Sequence, residues 1–212
     1  TEDKIQDMSQ YDNWGELIGG VRTQSEGLIS GSLDFDADIS NPDYIQLSKE
    51  VNYEPSSGFT VVGLINRDSD DAGWDPQPSR RGIYEDDLIE IDQKRNSNIA
   101  ILVDGGRALG DVNENEFSYP ANQWTLVGVT YDGQSLSMWR NDNIIDTEQV
   151  SNLPSSQEAP RIGANLYDAR RSWGGDIDEL RIYNHSLGSD KINGLLNLED
   201  YRWAVDACKL TN

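Results

Sequence analysis

Cysteine and histidine occur once each in this chain of 212 residues. The lone Cys208 rules out an internal disulfide and any zinc site assembled from several cysteines. Ser-His-Asp or Cys-His chemistry would have to run through His185, which sits in the polar stretch Asn184-His185-Ser186 behind an apolar run and reads as an exposed turn residue. Long apolar runs are also missing, and no stretch reaches the roughly 18 residues that a membrane-crossing helix needs. No signal-peptide pattern is visible; a start at Thr1 rather than Met is what removal of an export signal or a tag would leave. Positive charge is scarce, with 17 basic residues against 38 acidic ones and a net charge of −21. That balance argues against nucleic acid, whose affinity rests on Lys and Arg neutralising phosphates, and against anionic membrane surfaces.

The acid is spread along the whole chain. Asp outnumbers Glu 25 to 13, and Arg outnumbers Lys 12 to 5. A dispersed, Asp-rich and Lys-poor surface keeps a protein hydrated in molar salt, where the Debye length shrinks to roughly 3 Å. The composition therefore points to a halophilic, archaeal source, with an ordinary acidic secreted domain as the alternative.

Strand signals dominate. Leu33-Asp34-Phe35-Asp36 and Tyr44-Ile45-Gln46-Leu47 alternate apolar and polar residues, and Phe59 to Ile65 is a strong β run. Leu88 to Asp92, Ile99 to Val103, Thr125 to Tyr131, Ser135 to Arg140, Ile144-Ile145, Arg161 to Gly163 and Asp176 to Tyr183 follow. Turn clusters such as Asn41-Pro42-Asp43, Asp104-Gly105-Gly106 and Asp132-Gly133 separate them, and Asp132-Gly133 has the chemistry of a tight hairpin. The segment Thr1 to Tyr11 predicts a short helix, with Ile5 and Met8 at i, i+3. Ser189 to Leu198 predicts a second, capped by Ser189 and carrying the stripe Ile192, Leu195, Leu196. Many short strands without intervening helices imply an all-β fold: a two-sheet antiparallel sandwich with a short C-terminal helix and tail.

Five stretches in order resemble a laminin-G-like, concanavalin A-like jelly-roll domain of the lectin/glucanase superfamily. They are Ile29 to Asp36 with Asp43 to Leu47, then Phe59-Thr60-Val61, then Trp124 to Trp139, then Arg161-Ile162-Gly163-Ala164, and last Gly174 to Asn184. The resemblance implies a sandwich over 21–198, preceded by an N-terminal segment 1–20 and followed by an extension 199–212. It also implies an apolar first strand where this chain has the polar Thr1 to Met8. The tail Tyr201 to Cys208, or a neighbouring chain adding a strand at an open edge, is available to fill that slot.

Candidate sites follow. Calcium takes about six to eight hard oxygens. The resemblance places a structural Ca2+ at Asp178, with partners from Asp12, Asp34 and Asp36. Glycan sites pair an exposed aromatic face with planar polar side chains on loops. The long loop Asn66 to Gly82 offers Trp74, Arg80 and Arg81, and the loop Asn165 to Gly174 offers Tyr167, Arg170, Arg171 and Trp173. The paired arginines suit uronate or sulfate groups, unless they serve to offset neighbouring Asp. Glu85-Asp86-Asp87-Leu88-Ile89-Glu90 fits the E-x-D-x-x-E spacing of retaining β-glucanases, with Glu85, Asp87 and Glu90 as weak catalytic candidates and carboxyls roughly 5–5.5 Å apart required. Glu85 itself reads as a loop residue before the apolar Leu88-Ile89 pair. The sequence thus implies a non-catalytic extracellular or cell-surface recognition domain that binds glycan or a surface glycoprotein. Assembly with copies of itself into a surface polymer is the alternative, and glycoside hydrolysis a distant third. Asn184-His185-Ser186 is a glycosylation sequon and fits a surface location.

Overall fold

A computed structural model describes residues 4–24, 27–29, 31–53, 56–69, 80–94, 98–104, 107–109 and 119–196. Two antiparallel sheets face each other. One has eight strands in the spatial order β1 (Lys4–Ile5), β2 (Gly15–Ile18), β5 (Tyr44–Leu47), β14 (Arg161–Ile162), β7 (Arg80–Glu85), β8 (Ile89–Lys94), β9 (Ile99–Val103) and β10 (Arg107–Leu109). The other has seven, in the order β13 (Asn143–Gln149), β12 (Ser135–Arg140), β11 (Thr125–Tyr131), β6 (Phe59–Arg67), β15 (Gly175–Tyr183), β4 (Ser32–Phe35) and β3 (Arg22–Gln24). One helix, α1 (Ser189–Leu196), follows β15. This is the jelly-roll sandwich that the alternating apolar pattern requires.

The main core fills the space between the sheets. Phe35, Phe59, Val61, Ile65, Val129 and Leu136 come from one side, and Ile45, Ile89, Ile91 and Ile101 from the other. Each such side chain contributes about 1.5–3 kcal/mol when fully buried. Strands of the seven-stranded sheet are apolar on both faces: Val62, Leu64, Leu126 and Trp139 form a second cluster with Ile192 of α1. That second layer explains why β6 and β11 read as continuous apolar runs rather than alternating ones. Trp124 packs against the same cluster.

In β15 the pairing with β6 slips between Asp178 and Arg181, and Glu179 takes a left-handed φ of 51°. This bulge adds one residue, so Ile177, Leu180 and Ile182 all reach the main core although Ile177 and Leu180 are three apart.

Three local expectations are corrected. The predicted helix over Thr1 to Tyr11 is not formed in its described part; Lys4–Ile5 pairs with β2, and Ile5 packs on the core. Two apolar residues three apart do not make a helix when one of them can cover a sheet edge. Arg80 and Arg81 are strand residues, because β6 runs to Arg67 and β7 begins at Arg80. Glu85 is the last residue of β7 and fully buried, not a loop residue. Trp74 and the tail Tyr201 to Cys208 lie outside the described residues.

A carboxylate cluster beneath the Tyr167 loop

β7 and β8 form a hairpin across the turn Asp86-Asp87-Leu88. Its register sets Glu85 opposite Glu90 and Gly82 opposite Asp92. On β8, Ile89 and Ile91 face the core, so Glu90 and Asp92 share the outer face of the eight-stranded sheet. One oxygen from each of Glu85, Glu90 and Asp92 lies within 4.8 Å of the others. No other set of three acidic, histidine or cysteine side chains is this close among the described residues.

The loop from Asn165 to Ser172 covers this group. Glu85 Oε2 accepts hydrogen bonds from Asn165 Nδ2 at 2.5 Å and from the Leu166 amide at 2.9 Å. Asn165 Oδ1 in turn accepts the amides of Tyr167 (3.2 Å) and Asp168 (2.9 Å), closing a tight turn. The Arg171 carbonyl takes the amides of Gly82 and Asn165, and Arg171 Nη2 approaches Asp92 Oδ2 at 3.6 Å. Glu85 and Asp92 are both 0% exposed, and Glu90 is half-buried. Burial pushes the Asp92 carboxyl well up from the usual carboxylate range, and the adjacent Glu85 adds to the shift. Burial also raises Glu90, followed by Glu85, against the lowering pull of Arg171 and Arg80.

Above the cluster stands Tyr167, 76% exposed. Partial burial, and then the carboxylates of Asp87, Glu158, Glu90 and Asp86, push the pKa of its hydroxyl up, so its surroundings are electronegative. Of the other expected glycan contacts, Arg170 is paired with Asp168 at 2.8 and 3.0 Å. Arg171 is held by the Arg80 carbonyl and Asp92. Arg81 is 1% exposed opposite Gln93, turned away from Arg80 by strand alternation. Trp173 is buried and stacks on Tyr119 at 6.3 Å.

The E-x-D-x-x-E residues do not line one strand. Glu85 and Glu90 meet across the hairpin, while Asp87 turns away to accept from Ser156 Oγ and from the amides of Gln157 and Glu158. Asp92 takes the third place, and Asn165 holds the group from the far side. Neither stands out in the sequence as a site residue. The alternation Ile89-Glu90-Ile91-Asp92 already puts Asp92 on the face of Glu90, but only the hairpin register brings Glu85 to them.

The expected calcium set is divided between the sheets. Asp34 and Asp36 flank Arg22, at 3.6 and 3.1 Å, and Asp34 also accepts from Gln24. Asp178 Oδ2 accepts the Ile29 amide at 3.0 Å, and burial raises its carboxyl. Asp12 lies in the turn before β2 of the opposite sheet, where its carbonyl accepts from Lys49 Nζ. His185 is exposed, as is Asn184 of the sequon.

The concanavalin A-like lectin/glucanases superfamily model matches residues 40–193. No curated protein matches the chain. Among solved structures, the binding domain of Paraclostridial Mosquitocidal Protein 1 superposes with a TM-score of 0.69 at 16% identity, covering 93% of this chain and 50% of that one. The receptor binding domain of botulinum neurotoxin C/D mosaic serotype gives 0.66 at 15% identity, covering 91% and 49%. This chain thus spans about half the length of those toxin binding domains. Domain 4 of AbnA, an extracellular arabinanase from Geobacillus stearothermophilus solved in complex with arabinotriose, gives 0.63 at 17% identity, covering 85% of this chain and 87% of that domain. At these identities the likeness is one of fold.

Proposed function

The chain belongs to the concanavalin A-like lectin/glucanases superfamily, and on that premise we propose that it is a non-catalytic recognition domain that binds neutral glycan, at the cell surface or outside the cell, through the Tyr167 loop. The observation that carries this reading is Tyr167: a broadly exposed aromatic ring on a loop made rigid by Asn165 and Glu85. Such a ring offers a flat apolar face to a sugar at little cost in conformational entropy. The arabinotriose-bound arabinanase domain, matched over most of its length, supports a sugar as the ligand class. The negative surroundings of Tyr167, with Arg170 and Arg171 already paired to Asp168 and Asp92, favour a neutral sugar over the uronate or sulfate that the arginine pairs suggest in sequence.

A non-catalytic role is supported by Glu85 and Asp87. The first is enclosed under Asn165 and Leu166, and the second is spent on anchoring residues 156–158. A glycan array in high salt tests the proposal, with arabinotriose as the first quantitative ligand. Neutral oligosaccharides are expected to bind, and Tyr167→Ala to weaken binding tenfold or more, about 1.4 kcal/mol. Failure of every neutral glycan to bind, or full binding by Tyr167→Ala, would overturn it. A second reading, self-association, rests on edge strand β13, where Ile144 is 49% exposed. Light scattering that finds only monomer at high concentration in molar salt would dismiss it.

A further inference from the structure

We propose that Glu85, Glu90 and Asp92 form a Ca2+ site that fastens the β7–β8 hairpin to the Asn165–Ser172 loop. Proximity of three carboxylates is not enough; the argument rests on what the buried ones lack. With both groups ionised, Asp92 has no donor among the described residues on either carboxylate oxygen, and Glu85 has none on Oε1; a proton held between Glu85 and Asp92 is the competing arrangement. Both side chains are fully buried. The cation paired with Asp92 among the described residues is Arg171, whose Nη2 is 3.6 Å from Asp92 Oδ2, beyond hydrogen-bond range. Buried anionic oxygens without donors cost several kcal/mol each, so the group requires either a shared proton or a metal.

Charge and size favour the metal. Three carboxylates set against Arg171, with Arg80 also acting on Glu90, leave a net negative charge that a divalent ion offsets. Ca–O bonds of about 2.3–2.6 Å let two ligand oxygens lie up to about 4.6–5.2 Å apart, and the three oxygens here fall within 4.8 Å of one another. Gly82, the residue facing Asp92, lets the covering loop close over the group: a Cβ there would sit 2.5 Å from the Ala164 carbonyl carbon and 2.6 Å from both the Asn165 amide nitrogen and Glu85 Oε1. Glu85 Oε2 is already oriented by Asn165 and Leu166, the outer support that a metal-binding carboxylate needs. This site is separate from Asp178, and it stands whether or not the Tyr167 loop binds sugar.

Chelator-stripped full-length chain, titrated with Ca2+ up to about 10 mM by calorimetry and followed by thermal melting, provides the test. Work in about 1 M KCl suppresses loose binding to the acidic surface. The wild type is expected to bind one Ca2+ and melt at higher temperature when loaded. Glu90→Gln, at a half-buried position, is expected to fold normally and lose at least tenfold in affinity. Asp92→Asn is expected to melt no lower than the stripped wild type, because it removes buried like-charge repulsion, and to show no Ca2+-dependent shift. Absence of Ca2+ binding by the stripped wild type overturns the proposal in favour of a shared proton. Undiminished binding by both variants overturns it in favour of another site.

Discussion

Replacing Asp86 by alanine removes one acceptor that serves four buried donors. Its carboxylate takes Tyr53 Oη at 2.7 Å, Tyr84 Oη at 3.0 Å, the Leu88 amide at 2.8 Å and the Ile89 amide at 2.7 Å. The two hydroxyls are also 2.7 Å from each other, so in the alanine variant one of them can still donate to the other. That leaves three donors without a partner. At about 1–3 kcal/mol for each buried unsatisfied group, the gross loss is about 3–9 kcal/mol. Part is recovered because a carboxylate whose ionisation is opposed by burial is no longer enclosed. The expected net destabilisation is about 3–5 kcal/mol, a large share of the 5–15 kcal/mol typical of a domain. Asp86→Asn keeps an oxygen for the two amides, and the hydroxyls can turn to accept from its nitrogen, so its cost should stay below about 2 kcal/mol. Urea unfolding at pH 7 with unchanged m-values provides the measurement. An alanine variant that loses less than about 1 kcal/mol, or an asparagine variant as damaged as alanine, would refute the account of Asp86 as a four-donor acceptor.

Three further outcomes are expected. Gly163 has φ +85° and directly abuts the Phe35 ring, so Gly163→Ala should cost about 2–4 kcal/mol in urea titrations, from left-handed strain and a displaced core ring. Asp132 accepts the amides of Gln134 (2.9 Å) and Ser135 (2.7 Å), which hold its carboxyl below the usual range. Because the folded value is depressed, this contribution is present above the ordinary carboxylate value of about 3.9 and is lost as pH falls through the folded value. The melting temperature of Asp132→Asn should therefore trail the wild type at pH 7 and converge with it at low pH; a constant gap would contradict the assignment. With a net charge of −21, the melting temperature should rise as KCl increases from about 0.1 to about 1 M, and a flat or falling curve would remove the case for a halophilic surface.

How much was legible in the sequence varied with the range of the interaction. The hairpin Thr125 to Arg140, the helix from Ser189 and the closing strand to Tyr183 are written in neighbouring residues, and the structure forms all three. The first segment misled because Ile5 and Met8 suit a helix locally, whereas pairing of Lys4–Ile5 with β2 depends on Glu16 and Gly15. The arginine pairs misled in a similar way: Arg80-Arg81 looks like one cationic patch until strand geometry turns one outward and buries the other. In the E-x-D-x-x-E run, Glu85 and Glu90 carried chemistry forward, but as a cross-hairpin pair, while Asp87 anchors residues 156–158.

By itself the sequence determined a two-sheet antiparallel sandwich with an acidic surface, because apolar alternation, turn chemistry and charge are properties of a few adjacent residues or of the total. Only the tertiary structure decided which carboxylates meet. Glu85 is joined to Asn165 across 80 positions, and Asp92 comes into the group only when β7 and β8 pair in one register. That register is set by which side chains fill the core between the sheets, a choice made by packing many distant residues at once rather than by any short motif.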